Sequence, residues 1–462
     1  MNRTTLPSTK IATIAIAVLA PLVCPAWSAE TLMVPMRDGV KLATDIHVPE
    51  GEGPWPTILV MTPYGRKAVG AFAGETSKRG YALVVQDFRG RFDSEGEDHP
   101  VFLSCGWGEH QDGYDTVEWI AAQKWSNGKI GGWGISAPGI ALNMTAPSRP
   151  PHLACCYVGV AFSDMYSQAA YQGGVFRKGL LEEWLTQCKF SAKNLEAFRA
   201  RPHYDEFWKA LDPECVAAQV NVPTMFLGGW YDIFAAGTLN SFVTINQQGG
   251  EGARGKCRLV MEPYGHGRCD ELVFPNAKHP QAADMWNWFD VWLKNDGRGL
   301  DQIPPVQYFV MGDPADPNTP GNRWKTAEDW PVPAQMVPVY FHTDNKLRLK
   351  APQELFGSLD YQYDPKNPVP TVGGANLTGS KGPQDQRPIE ERPDVLLFTS
   401  PALDMYVEIT GPIKVKLWAS STARDTDFTA KISDVYPDGR SMVVLDGILR
   451  ASHRGTFEQD EP

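Results

Sequence analysis

Ser136 lies in Gly134-Ile135-Ser136-Ala137-Pro138-Gly139, directly after the short apolar stretch Ile130 to Trp133. A hydroxyl ionises far above neutrality, so a nucleophilic serine needs a base beside it and a third group to orient that base. Asp232 and His266 follow in the chain, each just past an apolar run, and they are the candidates for those two roles. The chemistry open to such a set is acyl transfer through a covalent intermediate, followed by hydrolysis.

The neighbours of Ser136 suit a sharp turn. Small residues let strand and helix backbones pass close together while the serine takes a strained conformation that lifts its oxygen clear. Gly134 and Ala137 are small, and Pro138 fits a first helical turn, where its missing N–H has no partner to lose. The apolar, helix-tolerant run Gly139 to Ala146 supplies the helix.

Asp232 closes Pro223-Thr224-Met225-Phe226-Leu227-Gly228-Gly229-Trp230-Tyr231-Asp232. The short apolar run before the glycines reads as a buried parallel strand that releases Asp232 at its carboxyl end, the edge where open α/β sheets place ligands. The alternative for Asp232 is a cap on the helix that follows Ile233. Among nine histidines, His266 alone sits just past a strand, after Cys257 to Met261 and the breaker Pro263, with a glycine on each side. His99, His110 and His279 lie in polar loops and are the fallback bases.

An oxyanion needs two aimed donors. The elbow supplies one in the backbone N–H of Ala137, and Tyr64, at the end of the strand Thr57 to Thr62, is the candidate for the second or else a structural tyrosine. Phe234 is placed to line an acyl pocket, the alternative being an ordinary core aromatic.

Strands at Thr57 to Thr62 and Tyr81 to Gln86 alternate with helical segments, the pattern of a mostly parallel sheet covered on both faces. With the chain order Ser, Asp, His, this is an α/β-hydrolase core, expected over residues 29–162 and 221–298. Between them, residues 163–220 carry helical periodicity at Gly179 to Phe190, Lys193 to Arg201 and Asp205 to Ala210, with Leu180, Leu181, Trp184 and Leu185 on one face. An insertion there is either a cap that shapes the pocket and excludes water or a set of packing helices. After the aromatic segment Met285 to Leu293 the text changes at about Gly299. Prolines multiply, and short strands are expected at Val306 to Met311, Val337 to His342, Val395 to Thr399, Ile413 to Ser420, Phe428 to Val435 and Met442 to Leu449, the signature of an all-β, jelly-roll-like sandwich over residues 299–462.

The run Asp112 to Gly131 leading into Ser136, with Arg89-Gly90-Arg91, Ser94-Glu95-Gly96, Gly229-Trp230-Tyr231-Asp232 and Pro263-Tyr264-Gly265-His266, resembles the X-Pro dipeptidyl-peptidase and cocaine esterase family of α/β-hydrolases. Asp425 to Thr429 and Val435 to Arg440 resemble that family's carboxy-terminal sandwich. The resemblance implies Ser136, Asp232 and His266 as triad, Tyr64 and the Ala137 amide as oxyanion hole, and a small ester or amide as substrate; beside the esterase stand two alternatives, an acylase on amides such as β-lactam side chains and an X-Pro dipeptidyl-peptidase-like exopeptidase. It also implies further strands beyond Arg450, so the sandwich is expected to be incomplete: the chain is a truncated product, or a second subunit in a homo-oligomer supplies the missing surface.

Two departures matter. The family usually carries Tyr after the nucleophile, whereas Ala137 and Pro138 follow Ser136 here. Its α-amino acid ester hydrolases bind the substrate ammonium with acidic side chains, but Ile233, Phe234 and Ala235 follow Asp232, and Ser167 to Gly174 contains no acid. A buried ammonium without a carboxylate is costly, which points to neutral or anionic acyl groups.

Composition, at 42% hydrophobic and 21% charged over 462 residues, allows two or three cores. Arg3 and Lys10, an apolar run Ile11 to Val23 and the small-x-small site Ala26-Trp27-Ser28 form a cleavable secretory signal over residues 1–28, implying a secreted or periplasmic enzyme with no membrane attachment after cleavage. An uncleaved anchor is the alternative, but the run is shorter than the ~20 residues a span needs. Losing the leader takes the formal charge from −11 to −13, which excludes steering to nucleic acid. Seven cysteines then remain of eight, none in a paired C-x-x-C zinc pattern, and no metal or organic cofactor is called for. Export would permit disulfides, for which Cys257 with Cys269 and Cys188 with Cys215 are candidates. The rival from another class is a non-catalytic binding protein on a hydrolase scaffold.

Overall fold

The computed structural model describes residues 30–267, 273–294, 297, 299–354 and 357–461. The leader assigned to residues 1–28, and Cys269, lie outside them. No helix among the described residues is long and apolar enough to cross a membrane.

Ten strands form one sheet: β1 (Glu30–Pro35), β2 (Lys41–His47), β3 (Trp55–Thr62), β4 (Ala82–Asp87), β5 (Ser126–Ile135), β6 (Leu153–Gly159), β9 (Thr224–Tyr231), β10 (Arg258–Gly265), β11 (Val306–Val310) and β12 (Arg323–Ala327). Their spatial order is β1-β2-β4-β3-β5-β6-β9-β10-β11-β12. β7 (Tyr171–Gln172) and β8 (Val175–Phe176) pair as a small ribbon in the insertion. From β4 to β11 every pairing in the large sheet is parallel, and β2 and β12 flank this block antiparallel. The inner strands are buried along almost their whole length, as covering on both faces requires of continuous apolar runs. On one face the helix Met285–Phe289 packs so closely that a side chain at Gly131 would come 2.8 Å from Phe289.

The insertion folds as helices Lys178–Gln187, Ala192–Arg199 and Glu206–Lys209, with Leu181 and Leu185 buried and Asp205 capping the last through bonds from the Phe207 and Trp208 amides at 3.0 and 3.3 Å.

The C-terminal strands depart from expectation. Val306–Val310, expected to open the sandwich, instead pairs with β10 and extends the central sheet, its mostly apolar side chains buried at four of five positions, as suits a doubly covered strand. Only Tyr340–Phe341 (β13) and Leu347–Arg348 (β14) pair near Val337 to His342. Val395 to Thr399 makes a single bridge, Lys346 with Thr399, and Ile413 to Ser420 forms no strand, leaving Trp418 86% exposed. An apolar segment without an edge to pair with has no ladder to join. Asp427–Val435 (β15) and Ser441–Arg450 (β16) do form the expected long hairpin.

Cys188 and Cys215 are free thiols, which corrects the pairing suggested for them. The Cys215 Sγ is engaged by Asp212 Oδ2 at 3.1 Å and the Tyr204 hydroxyl at 3.3 Å, while Cys188 ends the helix Lys178–Gln187. Cys257 is likewise a free buried thiol, donating to the Ala253 carbonyl at 3.6 Å.

Candidate active site

Ser136 sits between β5 and the helix Ala137–Thr145 with φ 61° and ψ −129°, a left-handed conformation that costs a non-glycine residue about 1–3 kcal/mol. Neighbouring bonds hold it there: its amide donates to the Gly159 carbonyl at 2.9 Å, and its carbonyl accepts from the Ile140 amide at 2.9 Å. The small residues are a steric necessity, since a side chain at Gly134 would lie 2.3 Å from the backbone of Pro138.

The same principle brings acid and base together. β9 and β10 run side by side, and a side chain at Gly229 would lie 2.2 Å from the Tyr264 carbonyl oxygen. The loops leaving these strands therefore emerge in contact. His266 Nε2 is 2.8 Å from Ser136 Oγ, and His266 Nδ1 is 2.7 Å from Asp232 Oδ2. Asp232 is buried. Its other oxygen accepts from the Phe234 amide at 2.7 Å, and its carbonyl accepts from the Ala235 amide at the start of the helix Ala235–Gln248. The helix takes Phe234 as its N-cap and has no side-chain cap bond, so the capping alternative for Asp232 is not realised; the Phe234 amide bond instead fixes the turn that presents the carboxylate. The three residues have the connectivity that lets a hydroxyl pass its proton to an imidazole whose tautomer a carboxylate fixes.

The fallback bases lie elsewhere. His279 bonds Glu262 at 2.8 Å and the Ala283 carbonyl at 3.2 Å. His99 and His110 sit beside Glu97 and Asp38 and line a separate cavity of about 310 Å³ of mixed polar and apolar lining.

Tyr64 follows β3, its amide donating to Thr62 Oγ1 at 3.1 Å. Its loop is braced by two arginines. Arg66 bonds Asp87 at 2.6 Å and Asp45 and Asp93 at 2.8 Å each. Arg91 donates to the Pro63 carbonyl at 3.2 Å, to the Lys189 carbonyl at 2.6 Å and to the Cys188 carbonyl, so the Arg89-Gly90-Arg91 motif ties this loop to the cap. Burial pushes the Tyr64 phenol above its ordinary value, partly offset by hydrogen bonding with Trp184 and Ser136. It therefore keeps its proton at neutrality, as a donor must. Ala137 opens its helix, where an N–H has no intrahelical carbonyl to meet.

Above Ser136 is a cavity of about 290 Å³. Ser136, His266 and Tyr64 line its floor and mouth; Phe162, Phe234, Ile233 and Met165 form one wall, and Leu180, Leu181 and Trp184 of the insertion form the roof. The insertion therefore covers one side of this cavity. Phe234 packs edge-on against His266 at 5.7 Å and against Phe162 at 5.5 Å. No carboxylate lines the cavity among the described residues. Sequence reasoning missed Phe102, Ile140, Phe162, Met165, Ala169 and Leu377 as lining residues. Leu377 belongs to the polar connection between C-terminal strands and carries no periodic signal. The one-sided apolar pattern at Leu180, Leu181 and Trp184 did mark the roof.

The C-terminal region braces the acid. Tyr231, adjacent to Asp232, donates its hydroxyl to the Val443 carbonyl of β16 at 2.9 Å.

Residues 38–197 and 183–268 match the X-Pro dipeptidyl-peptidase (S15) family, and residues 298–462 match the X-Pro dipeptidyl-peptidase C-terminal non-catalytic domain. The chain is 32% identical to the cocaine esterase of Rhodococcus sp. (strain MB1 Bresler), over 93% of this chain and 84% of that protein. Among solved structures, an α-amino acid ester hydrolase superposes with a TM-score of 0.78 at 24% identity, covering 98% of this chain and 87% of the other. An aminopeptidase from a marine sediment archaeon, Thaumarchaeota archaeon, gives 0.74 at 23% identity, covering 94% and 83%. The chain belongs to the S15 X-Pro dipeptidyl-peptidase family of α/β-hydrolases and is a serine hydrolase.

Proposed function

We propose that the protein is an exported esterase that cleaves carboxylic esters of neutral, apolar acids through an acyl-enzyme on Ser136. His266 takes the Ser136 proton as the oxygen attacks the carbonyl, Tyr64 and the Ala137 amide receive the oxyanion, and Asp232 stabilises the imidazolium. His266 then protonates the leaving alcohol, and water repeats the sequence to release the acid.

The observation that carries this reading is the cavity over Ser136, whose lining offers apolar surface and no carboxylate among the described residues. Such a site receives an apolar acyl group by burial, at about 25 cal/mol per Å² removed from water. It leaves a free ammonium unpaired, so α-amino esters and peptides with free amino termini are poor substrates. The leader-like pattern of residues 1–28 supports export to the periplasm or outside the cell, which N-terminal sequencing of the protein from fractionated cells tests directly.

The test of the activity is burst kinetics on p-nitrophenyl acetate and glutarate, the matching anilides and an α-amino ester, with Ser136→Ala as control. A Ser136-dependent burst with esters favoured over anilides is expected. Preference for the anilides would make the enzyme an acylase, preference for the amino ester would overturn the reading of the pocket, and absence of turnover by folded protein would favour a binding role.

A further inference from the structure

Away from the cavity, His203 of the cap and His453 and Asp460 of the C-terminal segment each bring one donor atom within 4.8 Å of the others. We propose that these three side chains bind one divalent transition-metal ion of the zinc class, which fastens the cap to the C-terminal segment.

The distances come close to what such an ion requires. Zinc holds imidazole nitrogen and carboxylate oxygen at about 2.0–2.2 Å, which sets tetrahedral donor-to-donor edges of about 3.3 Å. His203 Nε2 lies 3.3 Å from Asp460 Oδ1, and His453 Nδ1 lies 3.7 Å from the same oxygen. The His203 and Asp460 side chains, 37% and 65% exposed, have room to rotate toward an ion. Two imidazoles and one carboxylate select a borderline transition ion over calcium or magnesium, which prefer all-oxygen sets. Three protein ligands leave a fourth position for water, and the exposed side at Asp460 gives the ion a way in.

The surroundings hold the donors in place. His453 is 4% exposed, and its Nδ1, the nitrogen that faces Asp460, also lies 3.2 Å from the Ser452 hydroxyl, which fixes the ring's orientation. His203 and Phe457 stack on it at 5.5 and 6.1 Å. Gly174 in the cap ribbon makes room, since a side chain there would come 2.6 Å from the His453 ring. Next to the ligands, the Tyr204 amide donates to the Phe457 carbonyl and the Glu461 amide to the Ser452 carbonyl, both at 2.7 Å. The nearby cation Arg450 is engaged by Asp427 at 2.8 Å and Asp425 at 3.8 Å. None of the three ligands lines the cavity over Ser136, so the ion would be structural.

The untagged full chain, stripped with chelator, is titrated with Co²⁺ and then with Zn²⁺. One Co²⁺ per chain with the strong visible bands of four-coordinate cobalt is expected, displaced by Zn²⁺, together with a rise in Tm. His203→Ala and Asp460→Asn should each weaken Zn²⁺ binding by about a hundredfold or more, since losing even a group behind a ligand costs about 10- to 100-fold. Both side chains are partly exposed, and metal-free melting curves matching the parent verify that the variants fold. Absence of the cobalt bands, equal affinity for Ca²⁺ or Mg²⁺, or Zn²⁺ affinity unchanged in both variants would overturn the proposal and leave a hydrogen-bonded His–Asp contact.

Discussion

The indole N–H of Trp184, in the cap, donates to the Tyr64 hydroxyl at 3.0 Å. Trp184 is itself fixed by parallel stacking on Phe102 at 5.9 Å and by Phe190 at 4.8 Å. A hydroxyl that accepts a hydrogen bond becomes a better donor, so the cap orients and polarises the phenol assigned to the oxyanion. Trp184→Phe keeps the stack and removes the donor. We expect kcat to fall by about tenfold, as for one hydrogen bond of about 1.4 kcal/mol, with KM little changed. Tyr64→Phe should cost about 10²- to 10³-fold, and the double variant no more than Tyr64→Phe alone. Additive losses measured in this cycle would show that Trp184 acts on substrate directly.

Ser136→Ala should reduce kcat by about 10⁶-fold and Asp232→Asn by about 10⁴-fold, the scale seen when a triad loses its nucleophile or fixes the wrong tautomer. Intact-mass spectrometry after mixing with substrate should show an acyl adduct on the parent chain and none on Ser136→Ala.

Gly229→Ala places a methyl group 2.2 Å from the Tyr264 carbonyl. The strand ends that carry Asp232 and His266 must then separate. Overpacking of this kind costs about 1–3 kcal/mol, and a displacement near 1 Å costs about 10² in rate. Urea unfolding and kcat together should register both losses; a change in stability with full activity would show that the two loops adjust independently.

Asp164 offers a pH signature. Burial foremost, and then the neighbouring Asp212, push its carboxyl up to about 6, against bonds from Ser167 and the Tyr166 amide that favour the ionised form. Its folded value lies above the unfolded one, so between about pH 4 and pH 6 the folded state retains a proton that the unfolded state has released, and stability falls as pH rises through that window. Asp164→Asn should flatten this part of the Tm-against-pH curve, which scanning calorimetry at fixed ionic strength resolves.

Much of this site was legible in the sequence because its constraints are local. An elbow needs small residues at fixed offsets, and Gly134, Ala137 and Pro138 stand at them. Parallel strands need unbroken apolar runs, which marked the ends that release Tyr64, Asp232 and His266. The C-terminal region was less legible for the opposite reason. Val306–Val310 has the same composition whether it opens a sandwich or extends a sheet, and only its partner β10 decides. Ile413 to Ser420 has a strand's composition and no ladder. Leu377 reaches the cavity, and His203 reaches His453, through contacts distant in sequence that no periodicity reports.

Leu377 in the cavity wall and the Tyr231 bond to Val443 also bear on how such enzymes diversify. A C-terminal region that merely hung from the core could be exchanged between relatives as a module. Here an exchange would alter the acyl pocket and the seating of the acid in the same event. New substrate ranges in this lineage should therefore arise through coordinated change in both halves of the chain, and chimaeras joined near residue 300 should lose selectivity before they lose their fold.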